Sequence, residues 1–124
     1  MKTADVEIKI DMGELDKLTQ KMKNALVATM GVLQDRIREE QVIPRDTGAL
    51  QGEKFFVDDS MRDKGVVQLV NEGPYARRLY YHPEYNFRQD KNKHAQGMWF
   101  TLWQKGGYYE NEPTEIFEKI MKSL

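Results

Sequence analysis

The stretch Leu15–Ile37, LDKLTQKMKNALVATMGVLQDRI, sets the architecture of this chain. Leu15, Leu18, Met22, Ala25, Leu26, Met30, Leu33 and Ile37 recur every three or four residues, which places them along one face of a helix. Lys17, Lys21, Lys23, Asp35, Arg36 and Arg38 fill the remaining positions. Asp11 stands three residues before Glu14 and reads as an approximate capping box for the helix start. Pro44 drives Ile43 out of the helical region and sets the other limit. The spacing therefore predicts a helix from about Gly13 to Val42, roughly 45 Å long at 1.5 Å per residue. Such a helix outruns a small sheet, so part of its apolar stripe is expected to meet another chain. The competing expectation is a bend or break at Gly31, where glycine weakens a helix interior.

Ahead of the helix, Val6-Glu7-Ile8-Lys9-Ile10 alternates with a period of two and reads as a strand with one buried face. Beyond it, Asp46-Thr47-Gly48 is a turn signal, with Asp46 able to accept backbone amides and Gly48 free to take positive φ. Phe55–Asp58 and Gly65–Asn71 read as two further strands, joined by the polar hairpin loop 59–64. Pro74 opens a short helix carrying Tyr75 to Tyr81, which His82-Pro83 ends. Tyr85 to Gln96 is polar and aperiodic and reads as an exposed loop. Met98 to Lys105 is expected as a short aromatic helix closed by Gly106-Gly107. Glu112-Pro113-Thr114 starts a final helix with Ile116, Phe117, Ile120 and Leu124 on one face. The fold class is thus α+β: a small antiparallel sheet packed against one long amphipathic helix, with short C-terminal helices, all in a single domain over residues 1–124.

The 124 residues suffice for one core without staples. The absence of cysteine excludes disulfides and a thiolate zinc site. With 19 Lys plus Arg against 20 Asp plus Glu, no global charge points to nucleic acid or to a basic partner. The apolar runs are too short to span a membrane, and the N-terminal residues lack the apolar stretch of a signal peptide. A cytoplasmic origin and no membrane partner are the resulting expectations.

Nothing in the chain has the pattern of a catalytic, cofactor or metal site. His82 and His94 stand twelve residues apart with Glu84 and Asp90 between them, a spacing that matches no metal-ligand pattern. Ser60 and Ser123 are the only serines, and neither lies in a glycine elbow. Gly106-Gly107 lacks the Lys-Ser/Thr of a phosphate loop. Asp46-Thr47-Gly48 follows a helix and Pro44 instead of the apolar strand that an aspartic-protease triplet requires. What is concentrated is aromatic content: Tyr75, Tyr80, Tyr81, Tyr85, Phe87, Trp99, Phe100 and Trp103 are eight of the thirteen aromatic residues. Arg77, Arg78, Arg88, Lys91 and Lys93 are interleaved with them. Such surfaces suit protein interfaces and single-stranded nucleic acid alike. The tryptophans are expected mostly in the core. Tyr75, Arg77, Arg78, Tyr80, Tyr81, Tyr85, Phe87 and Arg88 are expected at an interface, with a protein as partner.

The order of these parts resembles the minor capsid and head-to-tail joining proteins of siphophages, also called tail-completion or connector proteins. The matching parts are Asp46-Thr47-Gly48-Ala49-Leu50 after a long amphipathic helix, the hairpin, Glu72-Gly73-Pro74-Tyr75-Ala76 leading into a short helix, an aromatic loop with Asn86-Phe87, and the Trp99-Phe100 segment. Asp46, Thr47, Gly48 and Leu50 are the structural motif of the set. Where such proteins often carry an Arg and a Ser after that motif, this chain has Gln51-Gly52-Glu53. The resemblance implies a long helix crossing a small antiparallel sheet and a non-enzymatic role at the neck of a phage or prophage virion. It implies partners of three kinds: copies of the chain in a ring, portal, adaptor or tail proteins, and DNA passing through the lumen without sequence specificity. Assembly would take place in the host cytoplasm. The alternatives are a nucleic-acid-binding module using Tyr80, Tyr81, Phe87 and the nearby arginines, and a small enzyme using His82 with a carboxylate.

Overall fold

In the computed structural model, residues 6–13, 18–43, 54–84 and 94–124 are described. The chain is α+β: a three-stranded antiparallel sheet, a long helix packed on it and a C-terminal helix packed on that helix. The strands are β1 (Val6–Asp11), β2 (Phe55–Asp58) and β3 (Val66–Asn71), and the helices are α1 (Gln20–Glu40), α2 (Pro74–Tyr80) and α3 (Glu112–Ser123). The order across the sheet is β1-β3-β2. Ile8 lies opposite Leu69 and Ile10 opposite Val67, while Phe55 lies opposite Asn71 and Val57 opposite Leu69. Residues directly opposite share a face. Ile8, Ile10, Val57, Phe55, Val67, Leu69 and Asn71 therefore line one side. Against that side α1 lays Leu26, Met30, Leu33 and Ile37, all buried. The strand-period and helix-period patterns thus meet across one core.

Helix α1 is shorter than its apolar periodicity predicts. Its 21 residues span roughly 31 Å. It starts where Thr19, extended at φ −82°, accepts the Met22 amide on its hydroxyl at 3.1 Å. Asp11 does not cap it. Asp11 closes β1, and its carboxylate takes the Gly13 amide at 2.8 Å in a tight turn. Glu14 and Leu15 lie outside the described residues. At the other end Gln41 enters the left-handed region (φ 57°) and bonds back to the Arg38 carbonyl, so the helix stops ahead of the proline. Gly31 produces no break. The buried Thr29 is accommodated because its hydroxyl donates to the Ala25 carbonyl at 2.7 Å.

Residues 98–105 differ more from expectation. They form no α-helix, only a 3₁₀ turn at Thr101–Trp103. Met98 adopts φ 48°, which ends any helix at its first residue. The tight turn sends Trp99, Phe100 and Trp103 all inward, at 0, 0 and 2 % exposure. Trp99 is fixed by a buried hydrogen bond, its indole N–H donating to Asn71 Oδ1 at 2.7 Å.

Helix α3 is tied to α1 through Arg36. The guanidinium forks onto Glu112 (Nε to Oε1 and Nη2 to Oε2, both 3.1 Å) and also meets Glu40 at 3.0 Å. The hydrogen bond to Glu112 raises the Arg36 pKa further, against the opposing effect of burial. Trp103 Nε1 donates to the same Glu112 Oε1 at 3.1 Å, and Tyr109 stacks on the Trp103 ring. Glu112 and Glu115 in the first turn of α3 also suit its positive end.

Trp99→Phe tests the Asn71 bond. It keeps an aromatic ring but leaves the Asn71 carbonyl oxygen without its indole donor. Chemical denaturation should show a loss of about 1–3 kcal/mol, the cost of an unsatisfied buried group, beyond the loss in ring volume. Trp99→Phe combined with Asn71→Leu should recover part of that loss.

Candidate interaction surface

Helix α2 begins at Gly73, whose φ of 96° turns the chain off β3, with proline in the first helical turn. Ala76 and Tyr80, four apart, are buried at 0 and 5 % exposure. Arg77 is half-buried, whereas Arg78 and Tyr81 face solvent, Tyr81 at 61 %. The two adjacent tyrosines therefore separate. Tyr80, expected at the interface, belongs to the core because it falls on the helix face set by Ala76. Its ring meets Trp99 edge-on at 4.8 Å and lies 5.9 Å from Phe100. Burial pushes its phenol pKa up to about 12, partly offset by a hydrogen bond with the Phe100 backbone.

The Met98 amide donates to the Tyr80 carbonyl at 2.8 Å, which brings residue 98 to the C-terminal end of α2. There the left-handed backbone turns Met98 outward, and its side chain is 39 % exposed. Gly97 packs against Pro83 with no room for a Cβ, which fixes the approach of the two segments. Arg78, Tyr81 and His82 are thus exposed on or just after α2, and Met98 is exposed beside its C-terminal end. Large aromatic, guanidinium and thioether groups are the types enriched at binding hot spots. Arg78 and Tyr81 were expected at an interface from the aromatic and arginine content of 75–81. Met98 was missed because its exposure follows from one left-handed residue.

Of the other expected residues, Tyr75 contributes its backbone to α2, and its side chain is not among those described. Tyr85, Phe87 and Arg88 lie outside the described residues, as do Asp46, Thr47, Gly48 and Leu50. His82 sits on the surface with Nδ1 2.8 Å from Glu84, and that hydrogen bond lowers the Glu84 pKa. His94 is turned elsewhere, its Nδ1–H donating to the Glu40 carbonyl at 2.9 Å. The two histidines therefore hold separate partners. Among the described residues no group of three His, Cys, Asp or Glu could hold a metal.

Two further surface features flank α3. A cleft of about 260 Å³ is lined by Ile10, Met12, Leu26, Pro113, Thr114 and Phe117. On the other side of the helix a cleft of about 270 Å³ runs between Val32, Arg36, Ile116 and Lys119. Among the described residues no helix is long and apolar enough to cross a membrane. No protein-family model, curated protein or solved structure matches the chain.

Substitutions at the neighbouring tyrosines should diverge sharply. Tyr81→Ala should change stability by no more than about 0.5 kcal/mol, and Tyr80→Ala should cost about 3–5 kcal/mol, both read by urea denaturation. Tyr80 also predicts an alkaline limb. Its folded pKa lies above the free-tyrosine value of about 10, so its contribution is complete below that pH and is lost as pH rises toward 12. In Tyr80→Phe the fall in stability between those values should be shallower than in the wild type.

Proposed function

We propose that this chain is a non-enzymatic structural subunit of a tailed phage or prophage virion, of the head-to-tail joining type, working as a ring at the neck. The observation that carries the reading is the ordered set of sequence parts from Asp46 to Trp103, joined to a helix crossing a small antiparallel sheet. That architecture is the one the resemblance implies. The surface of Arg78, Tyr81 and Met98 supports it, because these are groups that bind protein well and that the fold itself leaves unused. Ring closure needs heterologous contacts, in which different surfaces of neighbouring subunits meet. The α2 end is one such surface, and the sequence 85–93 that joins it to His94 supplies further aromatic and basic groups. Portal or tail proteins would dock on the ring, and DNA would pass through the lumen without base-specific contacts.

The nucleic-acid reading draws on the same surface. It loses one of its stacking residues with the burial of Tyr80, and the net charge of −1 supplies no general attraction for phosphate.

Quantitative mass spectrometry of purified virions tests the proposal. A copy number far below that of the major capsid protein, in the range of a single ring, is expected. Particles produced with Arg78→Glu/Tyr81→Ala should lack the chain and show heads without tails, while the purified variant keeps its stability. Absence of the wild-type chain from virions would overturn the reading, and steeply salt-dependent binding to single-stranded DNA would then favour the alternative.

A further inference from the structure

The two edges of the sheet are not equivalent. The Glu72 amide bonds to the Lys54 carbonyl at 2.8 Å and continues the β2–β3 ladder, so the backbone N–H and C=O groups of Phe56 and Asp58 point to β3 and those of Phe55 and Val57 point off the sheet edge. That outer edge is guarded. Gln34 of α1 donates to the Phe55 carbonyl at 2.7 Å, and the Arg38 guanidinium lies over the Phe55 ring.

The β1 edge has a different character. Met12 bonds to Gly65 at 2.8 Å in continuation of the β1–β3 register, so the even-numbered residues of β1 bond to β3. Glu7, Lys9 and Asp11 therefore turn their backbone N–H and C=O groups outward. Among the described residues nothing is hydrogen-bonded to the outward backbone of Glu7 or Lys9. The strand is six residues long, enough to template another.

From this edge we infer that two copies of the chain pair antiparallel through β1, about a two-fold axis passing beside Ile8. Counted over Glu7 and Lys9, the outward residues that both copies pair within β1, the register follows from charge; Asp11 then stands opposite sequence position 5, outside the described residues. With Ile8 opposite Ile8 of the second copy, Glu7 stands opposite Lys9 of the second copy and Lys9 opposite its Glu7, on the sheet face away from α1. Ile10 stands opposite Val6. The outward residues Glu7 and Lys9 are also the ones this register needs as hydrogen-bonded pairs, so the two strands exchange four backbone bonds. Sliding by one step of the ladder sets Glu7 against Glu7, or Lys9 against Lys9, and like charges directly opposite are destabilising. Sliding by two steps leaves only Lys9 to Asp11 paired within the strands. Lys9 thus discourages pairing with other strands, as edge lysines do, but is matched by its own copy. Glu7 already accepts from Gln68 at 2.9 Å, which holds its carboxylate on that face.

The contact is small, so the dimer is weak and concentration-dependent. A two-fold contact closes on itself and is not the one that builds a ring. The inference therefore stands apart from the proposed function: a chain absent from virions could still pair this way.

Sedimentation velocity across a wide concentration series, on the full chain, tests it. The wild type should move from monomer toward dimer and less so at high salt. Glu7→Lys and Lys9→Glu each set like charges opposite twice per dimer, and each should weaken association by about tenfold or more. The charge-exchanged variant Glu7→Lys/Lys9→Glu restores opposite charges and should return association to the wild-type range. Circular dichroism checks that all three remain folded. A wild type that stays monomeric throughout, single variants that associate like the wild type, or a double variant that does not recover would each overturn the inference.

Discussion

The structure turns on the bond between Asn71 and Trp99. Asn71 ends β3 on the face that packs against α1, fully buried, where a polar side chain without a partner would cost several kcal/mol in an apolar medium. Trp99 carries one polar atom and is equally buried. Each satisfies the other at 2.7 Å, and neither has access to water as a substitute. That mutual need joins the end of the sheet to a segment 28 residues further along the chain. The Trp99 ring then gives Tyr80 its edge-on contact, which sets the rotation of α2 and decides that Arg78 and Tyr81 look outward. One buried polar pair thus links the core to the exposed residues of α2.

Much of this was legible where a period was long enough to count. The alternation Val6–Ile10, the β2–β3 hairpin and the apolar stripe through Ile37 all reappear, because burial on one face is what imposes those periods. The ends of elements were harder. The apolar stripe extends back to Leu15, but a hydroxyl at Thr19 and a carboxylate at Asp11 each chose a local backbone amide, and caps outweigh hydrophobic spacing at a terminus. The segment 98–105 misled for another reason. Its aromatic clustering fits a helix, yet a single left-handed residue redirects the chain, and nothing about a methionine announces positive φ. Of the surface, Arg78 and Tyr81 were expected from composition, but composition did not separate Tyr81 from the buried Tyr80. The neighbouring Met98 depended on a long-range backbone bond that no local pattern encodes.

The exposed residues at the end of α2 differ in character from the residues around the histidines and the clefts. His82 and His94 face different partners, and the clefts beside α3 are lined by apolar residues together with Thr114 on one side and Arg36, Glu112, Glu115 and Lys119 on the other. Arg78, Tyr81 and Met98 stand on a rigid base, since Gly97 against Pro83 and Met98 against Tyr80 leave the α2 end little freedom.

A chain with exposed sheet edges must also avoid pairing with the wrong strand. This chain treats its two edges by two different means. On β2 the helix reaches over and occupies the Phe55 carbonyl, which removes the edge as a template for any strand. On β1, among the described residues, nothing bonds to the outward backbone of Glu7 or Lys9, and discrimination rests on the alternation of these two residues along the strand. Coverage blocks all partners equally, whereas a charge pattern blocks most and admits its complement. The sequence Val6-Glu7-Ile8-Lys9-Ile10 is its own complement when reversed, so the edge left open is the one whose fitting partner is the chain itself.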